Sequence, residues 1–124
     1  ILEFKSIALE LIENGEFKTL INKDLAYSLL SNLIKNSIKY NINNGKIIIE
    51  IDNLSLITKN TSNRKTPLNS EDIFSRFYKE SEDHLSTGLG LSIVKTIIDN
   101  HSKMDVSYAF EDPFHIFSLK IKNS

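Results

Sequence analysis

The chain has 124 residues, 40% of them hydrophobic and 25% charged, with a formal net charge of -1, which predicts one soluble globular domain with a core of its own. The near-neutral balance provides no electrostatic footprint for nucleic acid or for an anionic membrane surface, so neither is an expected partner. The absence of cysteine excludes disulfides, thiolate metal sites and cysteine nucleophiles. No apolar run approaches the length of a membrane span, no signal segment opens the chain, and the start at Ile1 reads as a cut within a longer protein.

At the beginning of the chain Phe4, Ile7, Ala8, Leu11 and Ile12 recur at helical spacing, with Gly15 where a helix C-terminus favours glycine, and a short opening helix is predicted. The competing reading is a hairpin turning at Asn14-Gly15, and on either reading Glu16 to Ile21 suits a strand, with Phe17, Thr19 and Ile21 alternating. Asp24 then caps the stretch to Tyr40, DLAYSLLSNLIKNSIKY. At roughly 100° per residue, Ala26, Leu29, Leu30, Leu33 and Ile34 form an apolar face, opposite Ser28, Ser31 and Lys35. Asn32, Asn36, Lys39 and Tyr40 share the seam between the two faces, with the asparagines one turn apart. Asparagine is a poor helix former, so two on one seam point to a ligand lying along it.

Turn chemistry from Asn41 to Gly45 leads into the β-rich run Lys46 to Ile51. Asp52-Asn53 separates that run from Leu54 to Thr58, the signature of a β-hairpin. Residues 59–70 are polar and loop-like. Ser70 is placed to cap a short helix whose first turn carries Glu71 and Asp72 and whose one face carries Phe74 and Phe77. A charged stretch from Tyr78 to Thr87 has no periodicity and reads as a surface loop. Gly88-Leu89-Gly90 opens a second helix ending near Asn100, with Leu91, Val94, Ile97 and Ile98 on one face. Met104 to Phe110 and His115 to Ile121 read as two final strands joined by a turn at Asp112-Pro113. Helices interleaved with hairpins predict an α+β two-layer sandwich. His84, His101 and His115 have no metal-ligand spacing. Gly88 and Gly90 at the start of a helix would let backbone N–H groups approach a phosphate closely.

Three separated blocks occur together in order. The segment Asn32 to Tyr40, NLIKNSIKY, resembles the asparagine box of the ATP-binding domain of sensor histidine kinases. Asp72 to Tyr78, DIFSRFY, resembles their phenylalanine box, and Ser86 to Lys95, STGLGLSIVK, their second glycine box. The resemblance runs from Asp24 to the end, and the final stretch with Tyr108, His115 and Phe117 is similar to sensor kinases of Bacteroides-like bacteria. It implies the Bergerat-type sandwich, a mixed, mostly antiparallel sheet with helices on one face.

The resemblance also implies a site. Asn36 would coordinate Mg²⁺ held by the ATP phosphates, with Asn32 close to the same phosphates; a neutral amide oxygen suits a hard cation. Lys39 would pair with phosphate, Tyr40 would lie against the base, and Thr87, Gly88, Leu89, Gly90 and Leu91 would bring the second glycine box to the phosphates. Phe74 and Phe77 would anchor a lid running from Asn60 to Thr87. The first glycine box is altered. Asp52-Asn53 lies in the hairpin turn and cannot be its start, so the matching position is Asn60-Thr61-Ser62, with Asn60 in place of the adenine-reading acid and Ser62 in place of the first glycine. An amide can accept or donate, so weaker discrimination against guanine is expected than an acid would impose, by about 1 kcal/mol. Ser86 similarly replaces the first glycine of the second box.

Relatives of this fold that hydrolyse ATP, such as gyrase and the large chaperones, or that phosphorylate serine, carry a Glu four residues before the metal-binding Asn. Here Asn32 occupies that position and cannot act as a general base. The implied function is that of a histidine kinase catalytic domain, which binds Mg²⁺-ATP and donates the γ-phosphate to a histidine on a separate dimerisation domain, expected before residue 1. A response regulator would be the downstream partner, and the setting would be the cytoplasmic side of a membrane receptor. The other readings are a non-catalytic interaction module of the same fold, or an ATPase or serine kinase.

Overall fold

The computed structural model describes residues 5–75 and 90–122. Strand β1 (Ile7–Glu13) leads into helix α1 (Lys23–Lys39), which is followed by the hairpin of β2 (Gly45–Ile51) and β3 (Ser55–Asn60). Helix α2 (Gly90–His101) precedes a second hairpin, β4 (Met104–Glu111) and β5 (Phe114–Ile121). The five strands form one mixed sheet in the order β1-β2-β3-β5-β4. Among the described strands only β1 and β2 run parallel; the remaining pairs are antiparallel. A parallel pair cannot close through a tight turn and requires a crossover, and α1 lies in that crossover.

Both helices pack on the face that carries Leu56, Phe117, Leu119, Met104 and Val106, where Leu29 and Leu33 of α1 meet Val94, Ile97 and Ile98 of α2. This is the α+β sandwich expected from the sequence. The hairpin turn at Asp52 is also as expected: the Asp52 N–H donates to Ser55 O (3.0 Å), and its carboxylate accepts from the N–H groups of Leu54 (2.8 Å) and Ser55 (2.7 Å) and from the Ser55 hydroxyl (2.9 Å).

Four local expectations are overturned. The opening helix is instead strand β1, paired with β2 from Ile7↔Gly45 to Glu13↔Ile51. Ile7, Leu9 and Leu11 alternate just as Ile7, Ala8, Leu11 and Ile12 recur at helical spacing, and the partner strand decides between the two periods. Residues 16–21 form no strand, because the chain is there crossing from β1 to α1. Gly15, at φ 152°, makes the bend possible, and a Cβ there would meet the Asn53 backbone nitrogen at 3.0 Å.

The cap of α1 is Asn22 rather than Asp24, its side chain accepting from Asp24 N (2.8 Å) and Leu25 N (3.2 Å); Asp24 sits in the first turn, where the helix dipole favours it. Residues 70–74 make turns rather than a helix, closed by Ile73 N donating to Asn69 O (2.9 Å), and Asn69 rather than Ser70 receives a backbone N–H, from Glu71 (3.0 Å). The charged stretch from Tyr78 to Thr87 lies outside the described residues.

The apolar face of α1 also differs from its reading. Leu29, Leu33 and Ser37 are buried, whereas Leu30, Ile34 and Ile38 are exposed. Helix α1 packs against α2 and β3, and half of its apolar residues point away from both.

Candidate functional site

The carboxyl-terminal half of α1, the end of β3, the start of α2 and the first half of β5 enclose a cavity. The loop between α1 and β2 fixes the first two of these relative to one another. Asn41 is buried and its amide donates to Ser37 O and Lys46 O (both 3.2 Å), while its oxygen accepts from the Thr61 hydroxyl (2.7 Å), which in turn accepts from Lys46 N (2.8 Å). Gly45 permits this close approach, since a Cβ there would stand 2.6 Å from Thr61 Oγ1 and 2.8 Å from Ile42 O.

Of the residues singled out in the sequence, Asn32, Asn36, Lys39, Tyr40, Asn60, Ser62, Gly90 and Leu91 all line the cavity. Phe74 does not; it packs edge-on against Phe117 at 6.2 Å, and its neighbour Ile73 supplies the wall. Phe77, Thr87, Gly88 and Leu89 lie outside the described residues. Lys35, read from the sequence as pointing away, stands at the cavity, and Leu68, His115 and Phe117 complete the lining. His115 and Phe117 share the inward register of β5 with Leu119, so the alternation of that strand was the signal that could have placed them.

One side of the cavity is cationic and amide-rich. The Asn32 amide donates to Ser28 O (2.7 Å), which directs its oxygen to a point 3.4 Å from where a Cβ of Gly90 would stand. Lys35 and Lys39 add positive charge, the Lys39 ammonium lying 5.6 Å from the Tyr40 ring centre. No carboxylate occurs among the described lining residues, and the first turn of α2 carries no acid. Such a surface attracts a polyanion. Among the described residues no three His, Asp or Glu side chains group as a metal site, so a cation here would have amide oxygens as its protein ligands. Amide oxygens fit Mg²⁺, which usually keeps waters and substrate phosphates as most of its ligands.

At the other side, Asn60 is 2% exposed, its amide nitrogen donates to Thr61 O (3.0 Å), and its oxygen is buried with no hydrogen-bond partner among the described residues. A buried acceptor left unsatisfied costs about 1–3 kcal/mol. In a cavity wall such an oxygen can accept from a ligand's donor. Ser62, also buried, is occupied at its oxygen by Arg64 N (3.1 Å).

The sequence pattern of the family described as "Histidine kinase-, DNA gyrase B-, and HSP90-like ATPase" matches residues 21–122. The chain belongs to that family. Its relatives point to the sensor kinases within it. The heme sensor protein HssS of Staphylococcus aureus is 38% identical over 84 residues, which are 64% of this chain and 18% of HssS, so the chain spans less than a fifth of the curated relatives it matches. Among solved structures, the catalytic domain of histidine kinase ThkA superposes over 93% of this chain and 78% of its own, with a TM-score of 0.79 and 25% identity. The mycobacterial sensor histidine kinase MprB superposes equally well, at a TM-score of 0.79 over 93% of this chain and 82% of its own, with 18% identity, a likeness of fold. The chain is thus a catalytic, ATP-binding domain of the sensor histidine kinase kind, and the cavity lies where residues Asn32 to Tyr40 meet Gly90 and Leu91 at the start of α2.

Proposed function

We propose that this domain binds Mg²⁺-ATP in the cavity and donates the γ-phosphate to a histidine on a separate dimerisation domain of the same protein. The observation that carries the reading is the polarity of one cavity: an orphaned, buried amide oxygen at Asn60 on one side, and the seam of Asn32, Asn36 and Lys39 facing the start of α2 on the other. Asn60 would accept from the exocyclic amino group of adenine, with Ser62 beside it and Tyr40 against the base. Lys39 and the backbone N–H groups from residue 87 to Leu91 would hold phosphate oxygens. Asn36 would be the protein ligand of Mg²⁺ and Asn32 would orient the same phosphates. Mg²⁺, when bound, would neutralise charge on the phosphates. Phe74, anchored on Phe117, and Phe77 would secure the lid.

Asn32 disfavours direct hydrolysis, since an amide cannot take a proton from water as the carboxylate of the ATPase relatives would. A histidine acceptor needs no base from this helix. The phosphorylated dimerisation domain would pass its phosphate to a response regulator, on the cytoplasmic side of the membrane in which such receptors are anchored.

Calorimetric titration of the wild-type chain and Asn36→Ala with ATP, with and without Mg²⁺, tests the assignment. The wild type should bind more tightly with Mg²⁺, and the variant should lose that Mg²⁺-dependent gain while retaining the Mg²⁺-independent part. Equal affinities in saturating Mg²⁺ would overturn the role of Asn36, and a wild type that does not bind would favour a non-catalytic interaction module.

A further inference from the structure

After β3 the chain runs as a strap tied to β4 and β5 by two side chains outside the three sequence blocks. His115 is 2% exposed, yet both of its ring nitrogens are engaged: Nε2 lies 2.8 Å from Arg64 O and Nδ1 lies 2.7 Å from the Tyr108 hydroxyl. A carbonyl oxygen can only accept, so Nε2 carries the proton. In the neutral ring Nδ1 is then the acceptor, and the Tyr108 hydroxyl donates to it. The same hydroxyl oxygen accepts from Leu68 N (2.9 Å). The result is a directional relay, Leu68 N–H to Tyr108 O–H to His115 Nδ1, then His115 Nε2–H to Arg64 O, which ties two backbone groups of the strap to adjacent strands.

The relay acts at the wall of the cavity. His115 pairs in register with Asn60, and Ser62 and Leu68, on either side of the relay's attachment at Arg64, line the cavity. The Arg64 side chain reinforces the strap from outside, donating to Pro67 O (2.9 Å) and Thr66 O (3.4 Å). Around the relay the rings are packed: Phe110 lies 4.9 Å from His115 and Phe117 lies 5.2 Å from Tyr108. With both nitrogens committed, His115 has no polar atom to offer a ligand. Its available role is to hold others.

We propose that Tyr108 and His115 are positioning residues that hold residues 64–68 in the conformation that receives the base, and thereby set nucleotide affinity at the Asn60 side of the cavity. The inference rests on the nucleotide reading above and adds two residues to it. Because the relay touches only the base side, its loss should weaken a complete nucleotide and spare a ligand made of phosphates alone.

The test compares the wild-type chain with Tyr108→Phe, which removes one hydroxyl and keeps the ring packing, and with His115→Gln, in which the ring acceptor is gone. Each is titrated with Mg²⁺-ATP and with Mg²⁺-tripolyphosphate, while NMR follows ¹⁵N shifts of the His115 ring and hydrogen exchange at the Leu68 amide. The wild type should show the Nε2–H tautomer. In Tyr108→Phe the Nδ1 resonance should shift, Leu68 exchange should accelerate, and the ATP dissociation constant should rise about tenfold, the equivalent of about 1.4 kcal/mol, with tripolyphosphate changing less than about twofold. His115→Gln should show the same split, with ATP weakened about tenfold and tripolyphosphate changed less than about twofold. ATP affinity within about twofold of wild type in the folded variants would overturn the proposal, as would an equal loss of tripolyphosphate. A wild type that binds tripolyphosphate but gains nothing from the base would instead overturn the nucleotide reading and remove the relay's role with it.

Discussion

Asn60 stands where the resemblance leads one to expect an acid, and its surroundings change what the substitution means. By itself an amide can turn over, accepting from adenine in one orientation and donating to guanine in the other. The Thr61 carbonyl, 3.0 Å from the Asn60 nitrogen, removes that freedom, since turning the amide would press oxygen against oxygen and forfeit a buried hydrogen bond. The oxygen is then the amide atom left without a partner among the described residues, available to accept as a carboxylate oxygen would be. Discrimination against guanine is therefore expected to match that of an acid rather than fall short of it. Asn60→Asp should leave the ratio of ATP to GTP affinity within about threefold and, by setting a carboxylate against Thr61 O, lower stability by about 1–3 kcal/mol. Measuring both nucleotides and a denaturation curve on each protein checks this. A rise in adenine preference of about fivefold or more would show that the wild-type amide does turn over. The identity of residue 60 is legible in the sequence; the bond that fixes its orientation is not, because it depends on the backbone direction at the end of β3.

At the scale of elements, the β2–β3 hairpin illustrates how a local signal carries through. Asp52 and Asn53 are turn residues in the sequence, and in the fold the Asp52 carboxylate is held below the ordinary carboxylate range by the Leu54 N–H first, then by the Ser55 hydroxyl, with desolvation opposing them and the Ser55 N–H and the charge of Lys120 adding lesser help. A lowered value in the folded state means that the carboxylate stabilises the fold at any pH above its unfolded value, about 4, and that this contribution disappears as pH falls through the folded value. Asp52→Ala should therefore unfold at lower denaturant than wild type at neutral pH, with a gap that is steady down to about pH 4 and narrows below it. Unfolding midpoints across that range measure the effect, and a gap that widened in acid would contradict it. Helix α1 shows the opposite case. Its periodicity identifies the helix and its polar seam, yet which apolar residues it buries depends on how it lies against α2 and β3. Leu33 is 1% exposed and Ile34, one position on, is 39%. A 3.6-residue period defines a stripe but not which edge of it meets the neighbours.

For the whole molecule, the histidines bear on what the domain can do alone. His101 is exposed at the end of α2 and His115 is buried with both nitrogens engaged; His84 lies outside the described residues. Neither described histidine stands on a helix resembling a phosphoacceptor site, so incubation of the chain with γ-labelled ATP should leave it unlabelled. Acid-labile label on any of the three would show that the domain does not depend on a partner for its acceptor. The sequence by itself determined the second helix, both hairpins, the seam of Asn32, Asn36, Lys39 and Tyr40, and the family, because these rest on periodicity, turn chemistry and spacing within short segments. The tertiary structure alone decided that residues 7–13 are a strand, that Lys35 faces the cavity, that the Asn60 nitrogen is held by the Thr61 carbonyl, and that His115 and Tyr108 hold the strap. Two of those depend on a partner distant in sequence, β2 for the first strand and residues 64–68 for a histidine some fifty positions later, while the Asn60 amide depends on the backbone direction that places the Thr61 carbonyl. Local patterns are fixed by the neighbours along the chain, whereas such pairings exist only once the sheet has brought the partners together.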